Sequence, residues 1–152
     1  MSQNNQPNFV NPVLPQAEPY FAKDFFVYEV DVSALAPATS STGQFTVQAD
    51  SDFLLSKLAV MADIAAVNQT ASSRVIPLCT LLITDTGSGR NLMNQAVPIP
   101  NIFGQGDLPF ILPRQRIFVA RSVVTITVTN YDAAKTYNLR LSFIGEKGFR
   151  NS

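Results

Sequence analysis

The sequence has no histidine and no tryptophan, a single cysteine, and few charges for its length. Without histidine the chain lacks the commonest general base, a common metal ligand and the usual partner of a catalytic serine or cysteine. The lone Cys79 excludes an intrachain disulfide, and no imidazole is available to activate it as a nucleophile. It falls in the nearly continuous apolar run Val75-Ile76-Pro77-Leu78-Cys79-Thr80-Leu81-Leu82-Ile83, which predicts a buried, inert thiol. Charged residues make up 14% of the chain, well below the roughly 25% of ordinary soluble domains. The 11 basic and 11 acidic residues cancel, so little draws the surface to nucleic acid or an anionic membrane. A net charge near zero also favours association, as expected of a protein covered by other subunits. No apolar run approaches the ~18 residues of a membrane span, and no charged-then-apolar leader opens the sequence, so folding in a reducing compartment is expected.

The strongest positive signal lies in residues 122–148. In Val123-Val124-Thr125-Ile126-Thr127-Val128-Thr129, Val124, Ile126 and Val128 share one side and the threonines take the other. After a seven-residue polar loop, Tyr137, Leu139, Leu141 and Phe143 alternate with Asn138, Arg140 and Ser142. Period-two alternation rich in β-branched and aromatic residues predicts neighbouring, half-buried antiparallel strands.

Upstream, Phe26, Tyr28, Val30 and Val32 alternate with acidic residues, and Phe45, Val47 and Ala49 with polar ones; residues 36–43 between them read as loop. Residues 50–66 are two-sided. Asp50 or Ser51 could cap a helix, but Leu54, Leu58, Val60, Ala62 and Ile64 also fit a period-two face broken only by Ser56, and strand is the preferred reading. Residues 75–84 predict a buried strand, with Pro77 pointing to an edge or bulge. Residues 90–97 read as a short return strand, and residues 98–113, with four prolines and two glycines, as a long structured loop. A further strand starts around Ile117 and Val119. Seven or eight short strands in one domain, residues 24–152, indicate an all-β antiparallel sandwich, the jelly roll being one such arrangement.

Candidate chemistry is sparse, and no catalytic residue, cofactor or metal is assigned. Asp50-Ser51-Asp52 places two carboxylates at strand period but lacks the regularly spaced oxygen ligands of a calcium loop. Asp85-Thr86-Gly87-Ser88-Gly89-Arg90 has no lysine at phosphate-loop spacing and no helix after it, so it reads as a hairpin turn. Phe103-Gly104-Gln105-Gly106 predicts a turn needing positive φ, or a close backbone approach. Arg114, Arg116 and Arg121 form the single basic cluster; without a wider basic field they fit a solvated rim or an intersubunit salt bridge better than nucleic acid. The dispersal of Tyr20, Tyr28, Tyr131 and Tyr137 weakens the case for a platform that stacks sugars or bases.

Residues 1–23 stand apart, with Pro7, Pro12, Pro15 and Pro19, many Asn and Gln, and no charge before Glu18. Proline interrupts any helix there. The scattered apolar residues suit either a disordered tail or an extended arm docking on another surface; on the arm reading, Phe9, Val13, Leu14, Tyr20 and Phe21 are the assembly contacts.

Several segments together resemble small virion structural proteins of tailed bacteriophages. They are Asp85-Thr86-Gly87-Ser88-Gly89-Arg90-Asn91-Leu92, Val97-Pro98, Phe103-Gly104-Gln105-Gly106, Leu108-Pro109-Phe110-Ile111-Leu112-Pro113 and Leu141-Ser142-Phe143-Ile144-Gly145-Glu146-Lys147-Gly148-Phe149. The likeness covers about half the chain and transfers no functional residue. It implies a non-enzymatic capsid decoration (cement) protein: a homo-oligomeric β-sandwich folded in the host cytoplasm and bound in the virion to the major capsid protein or another virion protein. Head-tail connector and tail components look alike at this level. From a different class, a carbohydrate-binding or receptor-recognition module competes with this reading.

Overall fold

The computed structural model describes residues 19–65 and 75–151, which form two antiparallel sheets packed face to face. The chain runs β1 (Tyr20–Leu35), β2 (Ser40–Thr46), β3 (Asp52–Ile64), β4 (Cys79–Asp85), β5 (Arg90–Asn91), β6 (Val97–Pro98), a single helical turn α1 (Ile99–Ile102), β7 (Phe110–Phe118), β8 (Val123–Asn130) and β9 (Tyr137–Arg150). The first sheet has the order β1-β9-β3-β7 and the second β2-β8-β4-β5, with β6 also on β4. β5 and β6 meet opposite ends of β4 and act as one interrupted edge strand.

That order is a hairpin rolled up. β4 pairs with β5 and β6, β3 with β7, β2 with β8 and β1 with β9, so the two halves of the chain zip together from the middle outward. Apart from the β4 hairpin, successive strands change sheet. This is the jelly-roll arrangement, a sandwich of two Greek keys.

The core is the inward face of both sheets. Val124, Ile126, Val128, Leu139, Leu141 and Phe143 are all fully buried, as their alternation requires. Phe45, Phe53, Phe118 and Phe143 cluster between the sheets, Phe53 stacking on Phe118 and Phe45 edge-on to both.

Within the stretch read as helix or strand, Asp52–Ile64 form β3 and not a helix. Ser56 is where β3 bulges, shifting its register against both β7 and β9. The bulge reverses which parity faces inward: Phe53 and Leu55 before it, Leu58, Val60 and Ala62 after it. Leu54 therefore sits on the outer face, away from the set its spacing suggested. Gly145 of β9 makes the bulge possible, because a Cβ there would collide with the Leu54 carbonyl.

Other boundaries move as well. Ser40 to Gly43 belong to β2, because Gly43 is where β2 comes against β1: a Cβ there would lie 2.5 Å from Val30 Cγ1. The strand expected over residues 75–84 begins only at Cys79, beyond Pro77. The loop expected over residues 98–113 contains α1 and the start of β7, where an edge position tolerates Pro113. Among the described residues strand pairing begins at Tyr20, opposite Arg150, inside the span read as an arm.

Candidate functional site

Two ends of the sandwich carry the features of interest. At the first, β1 begins, β9 finishes and β3 begins. Asp52, only 3% exposed, is the organising residue. One of its oxygens accepts from Arg150 Nε at 2.6 Å and from the Tyr20 hydroxyl at 3.0 Å, and the other accepts from the Ala120 N–H at 2.9 Å. The carboxylate holds the Arg150 guanidinium above its ordinary pKa, and burial, then the bond to Asp52, raise that of Tyr20. Next to it, Lys147 stands over the Phe26 ring, 4.4 Å from its centroid, and reaches out to Gln48 and Asp50. Asp50 is held below its usual range by the Ser51 hydroxyl first and by Lys147 second.

Thus Asp50 and Asp52, adjacent in the sequence motif, are committed to separate ion pairs. The arginine cluster is dispersed: Arg116 lies 3.6 Å from Asp85 and over the Phe118 ring, Arg114 is exposed, and Arg121 occupies a turn at φ 70°. Asp85 also accepts from Gly87 N–H, Ser88 N–H and the Ser88 hydroxyl, which with Gly89 at φ 66° makes 85–90 a tight hairpin turn. Gly104, by contrast, serves close approach, since a Cβ there would strike the Leu108 carbonyl. Among the described residues no group of His, Cys, Asp or Glu could hold a metal ion, and no helix is long and apolar enough to cross a membrane.

Near this end, large apolar side chains stand in solvent. Phe25 is 74% exposed on the outer face of β1, and Phe21 lies against Phe149 with ring centroids 6.4 Å apart. Beyond them, Tyr20 and Leu54 close over Gly148, where a Cβ would meet both side chains. Of the five residues expected as assembly contacts, Phe9, Val13 and Leu14 lie outside the described residues. Tyr20 is buried in the domain and bonded to Asp52, while Phe21 is exposed.

The opposite end carries a longer apolar surface that sequence reasoning missed. Residues 103–108 extend the first sheet beyond β7: Val60 N–H donates to the Gly104 carbonyl at 2.8 Å, and Gly104 N–H to the Leu58 carbonyl at 3.2 Å. Residues 75–78 run alongside, held by the Tyr131 N–H on the Leu78 carbonyl at 2.9 Å. Between these segments lie three adjoining hollows of about 310, 280 and 240 Å³. The first two share Val60, Val75 and Gln105; the second and third share Ile76, Pro77 and Pro100. Ile76, Leu78, Leu108 and Tyr131 remain exposed around them. The apolar run over residues 75–83 was visible in the sequence, but alternation cannot tell that its first part leaves the ladder and lines a furrow.

Cys79 lies at the floor of this end. It is buried, and burial, with the Asp132 charge second, pushes its thiol up to about 11. The adjacent loop is fixed by Asn130, whose amide donates to the Leu35 and Lys135 carbonyls and whose oxygen accepts from Asp132 N–H.

The chain matches no protein-family model, and no curated protein sequence matches it closely enough to count as a relative.

Proposed function

We propose that this protein is a non-enzymatic structural component of a tailed-phage virion that decorates and braces the capsid lattice. The observation that carries the reading is the exposure of large apolar side chains at both ends of a charge-poor sandwich: Phe21 and Phe25 at one, Ile76, Leu78, Leu108 and Tyr131 at the other. Patches of this kind mark interaction surfaces, and a bracing protein works by binding alone. Jelly rolls occur in viral capsid and lectin domains, so the fold is compatible with the reading without selecting it. Interfaces of roughly 1,000–2,000 Å² each, repeated over a symmetric shell, add through avidity. In this reading the major capsid protein or another virion protein is the partner, the protein is a homo-oligomer in the particle, and residues 1–18 supply contact area beyond the domain.

The test is electron microscopy of the purified protein mixed with procapsids or tails of the virus that encodes it. Regular decoration at lattice positions is expected. Unbound particles at saturating protein would overturn the reading.

A second reading has one observation in its favour. A hollow of about 220 Å³ on the outer face of the first sheet is lined by Asp31, Asp63, Asn138 and Arg140, polar groups of the kind that bind sugar hydroxyls. No aromatic residue lines it, which ranks carbohydrate binding second. Binding of the isolated protein to a glycan array, with no decoration of particles, would exchange the order.

A further inference from the structure

The furrow at the far end has the chemistry of a groove that takes an extended, proline-containing segment. Pro77, Pro98 and Pro100 line it, Tyr131 stands at its edge, and Leu108 closes the other side. Apolar grooves with an aromatic wall receive polyproline-type segments because such segments lose little conformational entropy on docking. The chain contains a segment of that composition. Phe9-Val10-Asn11-Pro12-Val13-Leu14-Pro15 has no charge, four large apolar side chains and two prolines that favour extension.

The apolar pair Val13-Leu14 at its centre cannot reach the furrow of its own subunit. Val60, on the furrow wall, is level with Leu141 of β9, whereas Tyr20, where the described chain starts its ladder, is level with Arg150. The nine residues of β9 between those levels span about 30 Å, and the furrow also lies two strands across the sheet, roughly 10 Å to the side. Val13 is seven residues before Tyr20, so it can lie at most ~25 Å from it. Val13 and Leu14 therefore fall short even in a fully stretched chain.

We propose that the furrow receives residues 9–15 of a second copy of this chain, so that the N-terminal segment of one subunit docks on the far end of the next. This rests on the reading of that segment as an assembly contact. The interface is heterologous, because donor and acceptor surfaces differ, and it generates a ring if the rotation closes or a linear array if it does not.

The experiment uses full-length protein in two variants. One carries Val13→Asp with Leu14→Asp in the donor segment. The other carries Leu108→Asp, 77% exposed in the structure and therefore tolerable to the fold; Ile76→Asp serves as an independent second acceptor variant. Sedimentation velocity of the unaltered chain up to about 100 µM, a range that detects weak self-association, should show oligomers. Each variant alone should lose at least tenfold in self-association. An equimolar mixture of donor and acceptor variants should form a dimer and nothing larger, since it retains one intact donor and one intact acceptor. A monomeric unaltered chain, acceptor variants that assemble like it, or a mixture that stays monomeric would each overturn the proposal. Because self-association is read without capsids, and capsid decoration can be read on each variant alone, failure here is distinguishable from failure of the virion reading.

Discussion

Asp52 and Arg150, 98 positions apart in sequence, meet at 2.6 Å where the first and last strands of the rolled hairpin come together. The two partners are unequal: Asp52 is buried and Arg150 is more than half exposed. Replacing Asp52 by alanine leaves the Tyr20 hydroxyl and the Ala120 N–H without their acceptor, and should cost about 2–4 kcal/mol. Arg150→Ala should cost less, because the guanidinium is largely solvated and Asp52 keeps the Tyr20 hydroxyl and the Ala120 N–H. Urea unfolding of both variants reads the difference, and equal losses would contradict the assignment of Asp52 as the anchor.

Ile126 sits at the centre of β8 with no exposed surface. An aspartate there has no buried partner, and the expected loss exceeds about 4 kcal/mol, enough to unfold the domain. Retention of cooperative thermal unfolding by Ile126→Asp would mean that the inward face of β8 is misassigned.

Gly145 has the backbone of β3 where a Cβ would go. Gly145→Ala must push β9 away from the Ser56 bulge, at an expected cost of about 2–4 kcal/mol. Gly89→Ala provides the contrast, since nothing lies near its Cβ position and the cost is the positive φ alone, about 1 kcal/mol. Denaturant midpoints should rank them in that order.

Cys79 should resist thiol reagents until the protein unfolds. Its thiol has a folded pKa of about 11 against an ordinary 9.0, so the unfolded chain releases the proton first as pH rises. The stability contributed by the protonated thiol is present below pH 9 and is lost progressively toward pH 11. Cys79→Ala should remove this part of the alkaline loss. Rapid labelling of the native protein at neutral pH would contradict the burial.

Asp132 gives the opposite sign. Backbone N–H groups of Ala134 and Lys135, then the Tyr137 hydroxyl, hold its carboxyl below the ordinary 3.8. The unfolded chain therefore takes up the proton first as pH falls, and the stabilisation present above that value disappears through the lower folded value. Thermal midpoints followed below pH 4 should decline less steeply for Asp132→Asn than for the unaltered chain.

Much of the fold could be read from the sequence where burial is one-sided. β8 and the first part of β9 alternate cleanly because one face meets the core and the other meets solvent, and their inward residues follow directly. Reading failed where a single residue resets the phase. Ser56 interrupts an otherwise regular pattern, and only the pairing of β3 with β7 and β9 shows that the interruption is a bulge that turns Leu54 outward. A strand was expected to start around Ile117, but β7 runs Phe110–Phe118 and ends there; its first part was hidden because Pro109 and Pro113 resemble loop punctuation, yet an edge strand accepts proline. The furrow was hidden for a different reason: its walls come from segments distant in sequence, joined by the hydrogen bonds of Gly104 and Leu78, which no local pattern announces.

The pairing of β1 with β9 has a consequence for the order of events during synthesis. Tyr20 through Leu35 leave the ribosome well before their ladder partner in β9 is made, and Asp52 cannot receive Arg150 until then. Pairings this distant in sequence form slowly. The root of the N-terminal segment is therefore fixed only once β9 is in place. A nascent or truncated chain offers that segment on an unanchored base, so in the proposed assembly the geometry that links one subunit to the next arises only once β1 and β9 have paired.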